Sequence, residues 1–295
     1  MIYGLIQGFS DSHPVEVLCK VLRVSRSSYY AYLAGESYSK SLTQVSLEAE
    51  VISVFHAHKA RYGSRRLKEE LKDRGFEVGR DRIRSIMRAH KLVAIQPKSF
   101  VPKTTRDDPS KARSPNLLLE REPLCQDVCE LIVGDITYWP LKSSWIYLSV
   151  WMDLFSRKIV GWALEDHMRA ELIEKAFEKV LLQGRVHAGT IVHSDGGAQY
   201  KAHSFRSILS SNQCSQSMTR KDNHYDNAFI ESLFSRIKAE MMAEKAVFEN
   251  IGQARGEIFQ YIEAYYNTIR RHSSIGYLSP SNFENRCLKL KKNLR

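Results

Sequence analysis

Three runs between residues 131 and 164, LIVGDITY (131–138), WIYLSVWMD (145–153) and RKIVGWAL (157–164), are dense in Val, Ile, Trp and Tyr and are separated by short polar turns. Side chains of that kind suit a pleated, half-buried surface, so the pattern predicts three successive strands joined as an antiparallel meander. Downstream the apolar period lengthens. It predicts a helix over 169–182, a strand at TIVHS (190–194), a helix near 203–210, a short strand near 214–218 and a long helix from about 226 to 244. A meander followed by alternating helix and strand predicts an α/β class with a mixed five-stranded sheet and flanking helices.

Before residue 96 the pattern is helical. Val17, Leu18, Val21 and Leu22 recur at helical spacing, and Ser25 is an N-cap for a second segment through Tyr29, Tyr30 and Leu33. That rhythm fits a helix-turn-helix, and equally two packed helices with no DNA role. A polar stretch over 35–43 precedes a helix predicted over 44–58, with Val45, Leu47, Val51, Ile52, Val54 and Phe55 on its apolar side. Gly63 and Gly75 then punctuate two further helices, one striped by Leu67 and Leu71, the other by Ile83, Ile86 and Met87. Arg65 and Arg66 stand at the start of the first; Arg80, Arg82, Arg84 and Arg88 crowd the second. Those arginines suit a DNA backbone, and they suit an ordinary solvated helix as well. Residues 96–116 hold four prolines and five basic residues without an apolar period, the composition of an extended linker. The expected plan is a helix-turn-helix-like segment (1–40), a basic helical domain (41–95), a basic linker (96–125), a catalytic core (126–285) and a basic tail (286–295).

Charge sharpens this plan. Residues 1–115 carry 21 Lys/Arg against 12 Asp/Glu, and the remainder carries 23 against 21. A basic first part joined to a nearly neutral larger one is what binding a phosphate backbone requires, because Lys and Arg displace condensed counterions. No run approaches the ~18 apolar residues of a membrane span, and MIYGLIQGF lacks the basic flank and cleavage site of a signal peptide. Cys19, Cys125, Cys129, Cys214 and Cys287 are odd in number and scattered, as in a reducing cytoplasm; neither C-x3-C at 125–129 nor H-x-H at 56–58 matches a usual zinc half-site.

The candidate chemistry lies in three carboxylates. Asp195 falls where the fourth strand ends, in HSDGGAQY; Glu231 follows 35 intervening residues later in FIESLFSRIKAE; Asp135 sits inside the first strand. Mounted so, they can converge, and like charges at close range require cations to stay ionised. Hard oxygen donors select Mg²⁺ or Mn²⁺, and two such ions can activate an attacking oxygen and stabilise a leaving one. Gly196 and Gly197 allow a tight exit from the strand. Asn227, Glu231, Phe234 and Lys238 fall at i, i+4, i+7 and i+11 on one helix face, which would present Asn227 and Glu231 to metal and Lys238 to a DNA phosphate, while Ile230, Leu233, Ile237 and Met241 bury the other side. Asp153 reads as a turn residue. His193 and His224 read as structural, and His272 has no assigned role.

The blocks GDITYW, YLSVWMDLFSRKIVGW, HSDGGAQY, DNAFIESLFSRIKAE and YYNTIRRHSSIGYLSPSNF, in this order, together with HKARYGSRRLKEEL, resemble the OrfB-type insertion-sequence transposases with a retroviral-integrase-like catalytic core. The resemblance covers about residues 10–285; Ala198 departs from the serine that many relatives carry. It implies a ribonuclease-H-like fold, a catalytic and metal-binding triad of Asp135, Asp195 and Glu231, and a DNA-assisting Lys238. It further implies metal-dependent cleavage at terminal inverted repeats and strand transfer into target double-stranded DNA, with 3′-hydroxyl ends as nucleophiles. A homo-oligomer on DNA is expected, as is localisation in the bacterial cytoplasm, at the nucleoid when DNA is bound. Leucine-zipper heptads do not precede residue 10, so a product of an upstream reading frame is an expected fusion or partner. The competing readings are a ribonuclease-H-like nuclease that does not join ends and a DNA-binding regulator with an inactive core.

Overall fold

The computed structural model describes residues 2–35, 42–97, 113–119, 121, 124–220, 224–243 and 247–293. The apolar start forms helix α1 (Ile2–Phe9), followed by α2 (Val15–Val21) and α3 (Arg26–Leu33). Ser25 caps α3 as its position predicts, its Oγ accepting from Ser28 N–H at 3.0 Å. The helical spacing over 17–22 does not mark the packed face: Val17 and Val21 are exposed, and the small core is Ile6, Cys19 and Tyr29.

Helices α4 (Leu42–Ala57), α5 (Ser64–Asp73) and α6 (Arg80–Ala89) pack as a second unit. Their stripes meet as expected, with Val51, Val54, Phe55, Tyr62, Leu67, Leu71, Ile83, Ile86 and Met87 buried together, while Val45 stays exposed. This unit is fastened to the rest of the chain. Tyr62 Oη accepts from Arg271 N–H at 2.9 Å, and Arg271 reaches back to Glu70 at 2.7 Å and Asp73 at 2.6 Å.

The large unit is built on β1 (Leu131–Pro140), β2 (Trp145–Asp153), β3 (Ile159–Glu165), α7 (Ala170–Leu182), β4 (Ile191–Ser194), α8 (His203–Ser211) and β5 (Ser215–Met218). The five strands lie in the order β3-β2-β1-β4-β5. β1, β2 and β3 form the expected antiparallel meander; β4 pairs parallel with β1 and β5 parallel with β4, which makes the sheet mixed. Alternation along the strands sends side chains to two cores. Ile132, Trp151, Val160 and Val192 meet Phe177 and Phe205 of α7 and α8 on one face. Leu131, Val133, Val150 and Trp162 meet the helices that follow on the other. Gly134 lets Trp151 lie across β1: a Cβ there would stand 2.1 Å from the indole.

A 3-10 turn (His224–Asn227) precedes α9 (Ala228–Met241); then come α10 (Ile251–Phe259), a π-helical turn (Gln260–Tyr266) and α11 (Pro280–Asn293). The long helix expected over 226–244 is therefore shorter at both ends. Residues 286–293, expected in a tail, continue α11, which is anchored earlier by Glu284: its buried carboxylate takes Arg185 at 2.7 Å, Lys158 at 3.0 Å and Ser156 Oγ–H at 2.9 Å. Of the expected linker, 98–112 lie outside the described residues. Residues 113–117 run beside β5, where Met218 N–H donates to Pro115 O and Leu117 N–H to Ser217 Oγ. Among the described residues no helix is long and apolar enough to cross a membrane.

Candidate active site

Asp135 occupies the middle of β1, opposite Val150 of β2, and its Oδ1 accepts from Ile136 N–H at 2.7 Å. β4 runs parallel beside it with Leu131, Ile132 and Val133 level with Ile191, Val192 and His193. That pairing stops at Val133 and His193, and β4 ends at Ser194, so Asp195 stands just past the strand that flanks β1, where its charge acts on Asp135. Asp195 is held in its turn by Gly197 N–H, which donates to Oδ1 at 3.0 Å. Glu231 stands exposed in the first turn of α9, and α9 packs through Ile230, Leu233, Phe234 and Ile237 into the core under β1.

The electrostatics follow from this convergence. Burial raises the Asp135 carboxyl well above its ordinary range; the Asp195 and Glu231 charges push it further, and Lys238 opposes them. Lys238 is itself lowered by burial and supported by Asp135, with its ammonium 4.8 Å from the centre of the Tyr138 ring. Carboxylates whose charges bear on one another are the hard oxygen donors that a divalent cation takes.

The shared helix face is only partly realised. Asn227 belongs to the 3-10 turn, outside α9, and is buried, its Oδ1 without a hydrogen-bond partner; Phe234 is turned into the core. Arg65, Arg80, Arg82, Arg84 and Arg88 are exposed. Arg66 departs from its expected DNA-facing role: its Nε–H donates to Arg271 O at 2.8 Å in the seam between α5 and the core, because Tyr62 and Arg271 draw that face of α5 inward. Asp153 is structural, buried and accepting from Cys129 N–H, Ser156 N–H and Ser156 Oγ–H. His193 is buried and lowered to about 4 by desolvation. His272 is likewise kept neutral by burial, with Arg270 next in effect. The side chain of His224 lies outside the described residues.

Four further residues stand at the site: Tyr200 and Asp226 lie inside the HSDGGAQY and DNAFIESLFSRIKAE blocks without an assigned role, and Arg113 and Asn116 lie outside any block. The Arg113 guanidinium lies so close over Gly196 that a Cβ there would be 2.1 Å from Nη2, and its Nη1 donates to Thr219 O at 2.7 Å. Tyr200 is buried, its hydroxyl without a partner, and its phenol is raised by burial and then by Asp135 and Asp195. Asn116 and Asp226 meet at 2.8 Å beside the entry to α9. Among the described residues, Glu165, Asp166 and His167 are the one trio of metal-ligating side chains whose donor atoms all lie within 4.8 Å of one another, so Asp135, Asp195 and Glu231 stand more widely spaced than that; Glu165, however, is paired with Lys175 at 2.7 Å.

Comparison with known proteins shows the family of the chain. Residues 127–224 and 212–280 match families described as Integrase core domain, and residues 43–100 match one described as HTH-like domain, spanning α4 to α6. The chain is 37% identical over 238 residues to the transposase for insertion sequence element IS904 of Lactococcus lactis, covering 81% of this chain and 93% of that one. It is 33% identical over 291 residues to the transposase InsF for insertion sequence IS3A of Escherichia coli, covering 98% and 100%.

The chain belongs to the insertion-sequence transposases.

The transposase is thus an enzyme of the DDE type acting on DNA, with an integrase catalytic core on a ribonuclease-H-like sheet and an HTH-like helical domain before it. Its likeness to solved structures is looser: 14% identity and a TM-score of 0.44 to a simian T-cell lymphotropic virus intasome over 80% of this chain and 74% of that one. For the HTLV-2 integrase catalytic core domain in complex with magnesium the values are 14% and 0.39, over 53% and 96%.

Proposed function

We propose that Asp135, Asp195 and Glu231 are the catalytic carboxylates of the transposase and together hold two Mg²⁺ or Mn²⁺ ions. The observation that carries this reading is the convergence of three carboxylates from a strand centre, the adjoining strand end and a helix start, with Asp135 feeling both of the others. Bound there, the ions would supply activation of a water or a 3′-hydroxyl and stabilisation of the leaving oxygen. β1 and the turn after β4 carry two of the donors, and α9 carries the third. Lys238 then meets a DNA phosphate beside Asp135. Asn227, buried in the turn that leads into α9, would accept a hydrogen bond at its Oδ1 from a donor brought to the site with the DNA. Arg65 and the arginines of α6 hold the duplex away from the chemistry.

The reaction is cleavage at the terminal inverted repeats of an insertion sequence, then transfer of the freed 3′ ends into target DNA. Two ends must be held at once, so the active species is a homo-oligomer on DNA, with an upstream-frame product as fusion or partner, working at the bacterial nucleoid. The test is Asp195→Asn in a strand-transfer assay with labelled end DNA. Loss of joined product with end binding retained is expected; full joining by the variant would remove the triad assignment. Labelled ends that are cut but never joined by the wild-type protein would make it a nuclease instead.

A further inference from the structure

Asp226 uses both of its oxygen-bearing groups, and each ties a different part of the site to the start of α9. Its carboxylate accepts from Asn116 Nδ2–H at 2.8 Å and from Arg220 at three donors: the backbone N–H at 2.9 Å, Nη2 at 3.0 Å and Nε at 3.1 Å. Its backbone carbonyl lies 3.1 Å from His193 Nε2. A carbonyl can only accept, so Nε2 carries the proton; Nδ1 is then the acceptor, taking the hydroxyl of Ser217 at 2.8 Å, whose oxygen in turn accepts from Leu117 N–H at 3.0 Å. His193 is two residues before Asp195 on the same strand path, and Asp226 is five before Glu231.

We infer that Asp226 is a positioning residue, which sets the distance between Glu231 and Asp195 by clamping the turn before α9 to the Asn116 segment, to Arg220 after β5 and to His193 of β4. α9 begins at Ala228 with no side-chain cap, so its own first turn does not fix where the helix starts. The clamp supplies that fixing from outside the helix. The charge is well satisfied: Arg220 and Asn116 hold the Asp226 carboxyl down at about 2, and its side chain is only 8% exposed although Arg220 is half-exposed. Because Asn116 belongs to the basic linker, the clamp also fixes where that linker meets the turn before α9.

This inference rests on Glu231 being a catalytic carboxylate, and the experiment separates the two. The full-length chain carrying Asp226→Ala, Asp226→Asn, Asn116→Ala or Glu231→Gln is compared with wild type in four measurements: melting temperature, end-DNA binding, strand transfer, and calorimetric titration with Mn²⁺ in the absence of DNA. Asp226→Ala is expected to reduce strand transfer at least tenfold and to weaken Mn²⁺ binding several-fold, with end binding within twofold of wild type. Asn116→Ala gives a smaller change in the same direction and adds little when combined with Asp226→Ala. Asp226→Asn keeps the shape and a hydrogen-bond acceptor, so it carries the test if the alanine variant fails to fold, and its losses are expected to fall between those of wild type and Asp226→Ala. Wild-type strand transfer and Mn²⁺ binding in Asp226→Asn and Asp226→Ala, or losses that only follow melting temperature, overturn the clamp. Glu231→Gln that still joins ends overturns the carboxylate assignment itself; an inactive Glu231→Gln beside a fully active Asp226→Ala overturns only the clamp.

Discussion

Arg270 grips the Glu240 carboxylate inside the core, Nη2 at 2.7 Å from Oε1 and Nε at 2.9 Å from Oε2. Tyr261 Oη–H adds a third bond to Oε2 at 2.7 Å. Glu240 lies on α9, the helix that carries Glu231 and Lys238, so the pair locks the far end of that helix to the segment after the π-helical turn. Both side chains are almost fully buried. Removing one partner leaves the other charged in a low-dielectric interior, so Glu240→Ala is expected to cost ~3–5 kcal/mol. Chemical denaturation checks it. A loss below ~1 kcal/mol would mean that water reaches Arg270 and that the pair does not hold α9.

One residue farther on, Arg271 faces the opposite way and holds the helical domain. Its guanidinium bridges Glu70 and Asp73 of α5, and its backbone N–H meets Tyr62 Oη. Arg61 stacks over Tyr265 with the cation 4.5 Å from the ring centre, which extends the seam. Arg271→Ala is expected to loosen α4–α6 from the core while both remain folded, since each has its own apolar cluster. Hydrogen exchange is the measure: faster exchange at 62–73 and 267–272 with unchanged protection in β1 and β2. Uniform loss of protection would show that the seam is part of one cooperative unit.

The sheet and the candidate carboxylates are legible in the sequence because each rests on a local signal. Val, Ile and Trp runs mark β1 to β3, and a carboxylate followed by Gly196 and Gly197 marks a strand exit. Asn227 and Arg66 depart from the pattern because the deciding contacts are long-range. Nothing around residue 66 announces that Tyr62 and Arg271, far apart in sequence, turn α5 inward. Nor does periodicity reveal that the chain enters α9 through a 3-10 turn. The roles of Arg113, Asn116 and Asp226 are hidden for a related reason: Arg113 meets Thr219 just past β5, and Asn116 and His193 meet Asp226 in the turn before α9, and hydrogen bonds between distant polar residues leave no period in the sequence.

Acid should destabilise the transposase through its buried histidines before it reaches the lowered carboxylates, while Asp135 and Asp153, raised by burial, bind protons in the folded state and offset part of that loss. His193 is lowered to about 4, and burial also lowers His58 and His272. Between pH ~6.5, where an unfolded histidine titrates, and pH ~4, the unfolded chain binds protons that the folded one refuses, so stability falls as pH falls. His193 alone accounts for up to about 3 kcal/mol over that window. Glu240 and Glu284 are held below the usual carboxylate range, so their contribution is lost only at lower pH. Stability against pH should therefore be shallower from 6.5 to 4 in His193→Asn, even though that variant is weaker at pH 7. An unchanged slope would mean that His193 is protonated in the folded state.

Gly134→Ala tests how tightly the sheet is packed one residue before Asp135. The added methyl would meet Trp151 at 2.1 Å, and Trp151 cannot retreat because Phe205 is stacked on it at 5.6 Å and Phe177 lies edge-on at 5.2 Å. Overpacking of this kind costs ~1–3 kcal/mol and shifts backbone. The variant should melt earlier and lose strand transfer beyond what its stability loss explains, since β1 carries Asp135 on the next residue. Wild-type melting would require the indole to have a second resting position.

The arginines of α6 divide into two sets by geometry. Arg80, Arg84 and Arg88 recur at i, i+4 and i+8 and so form one stripe, whereas Arg82 projects from another side of the same helix. If the stripe lies along a DNA backbone, each arginine there releases condensed counterions, and the salt dependence of binding falls by about one unit of slope for each phosphate that is no longer neutralised. Arg80, Arg84 and Arg88 changed together to Gln should lower the slope by about 3 and weaken binding to all sequences alike. Arg82→Gln should lower it by less than about 1. Binding measured against salt concentration with end DNA and unrelated DNA checks both. A larger effect from Arg82 than from the triple variant would turn the DNA to the other side of α6.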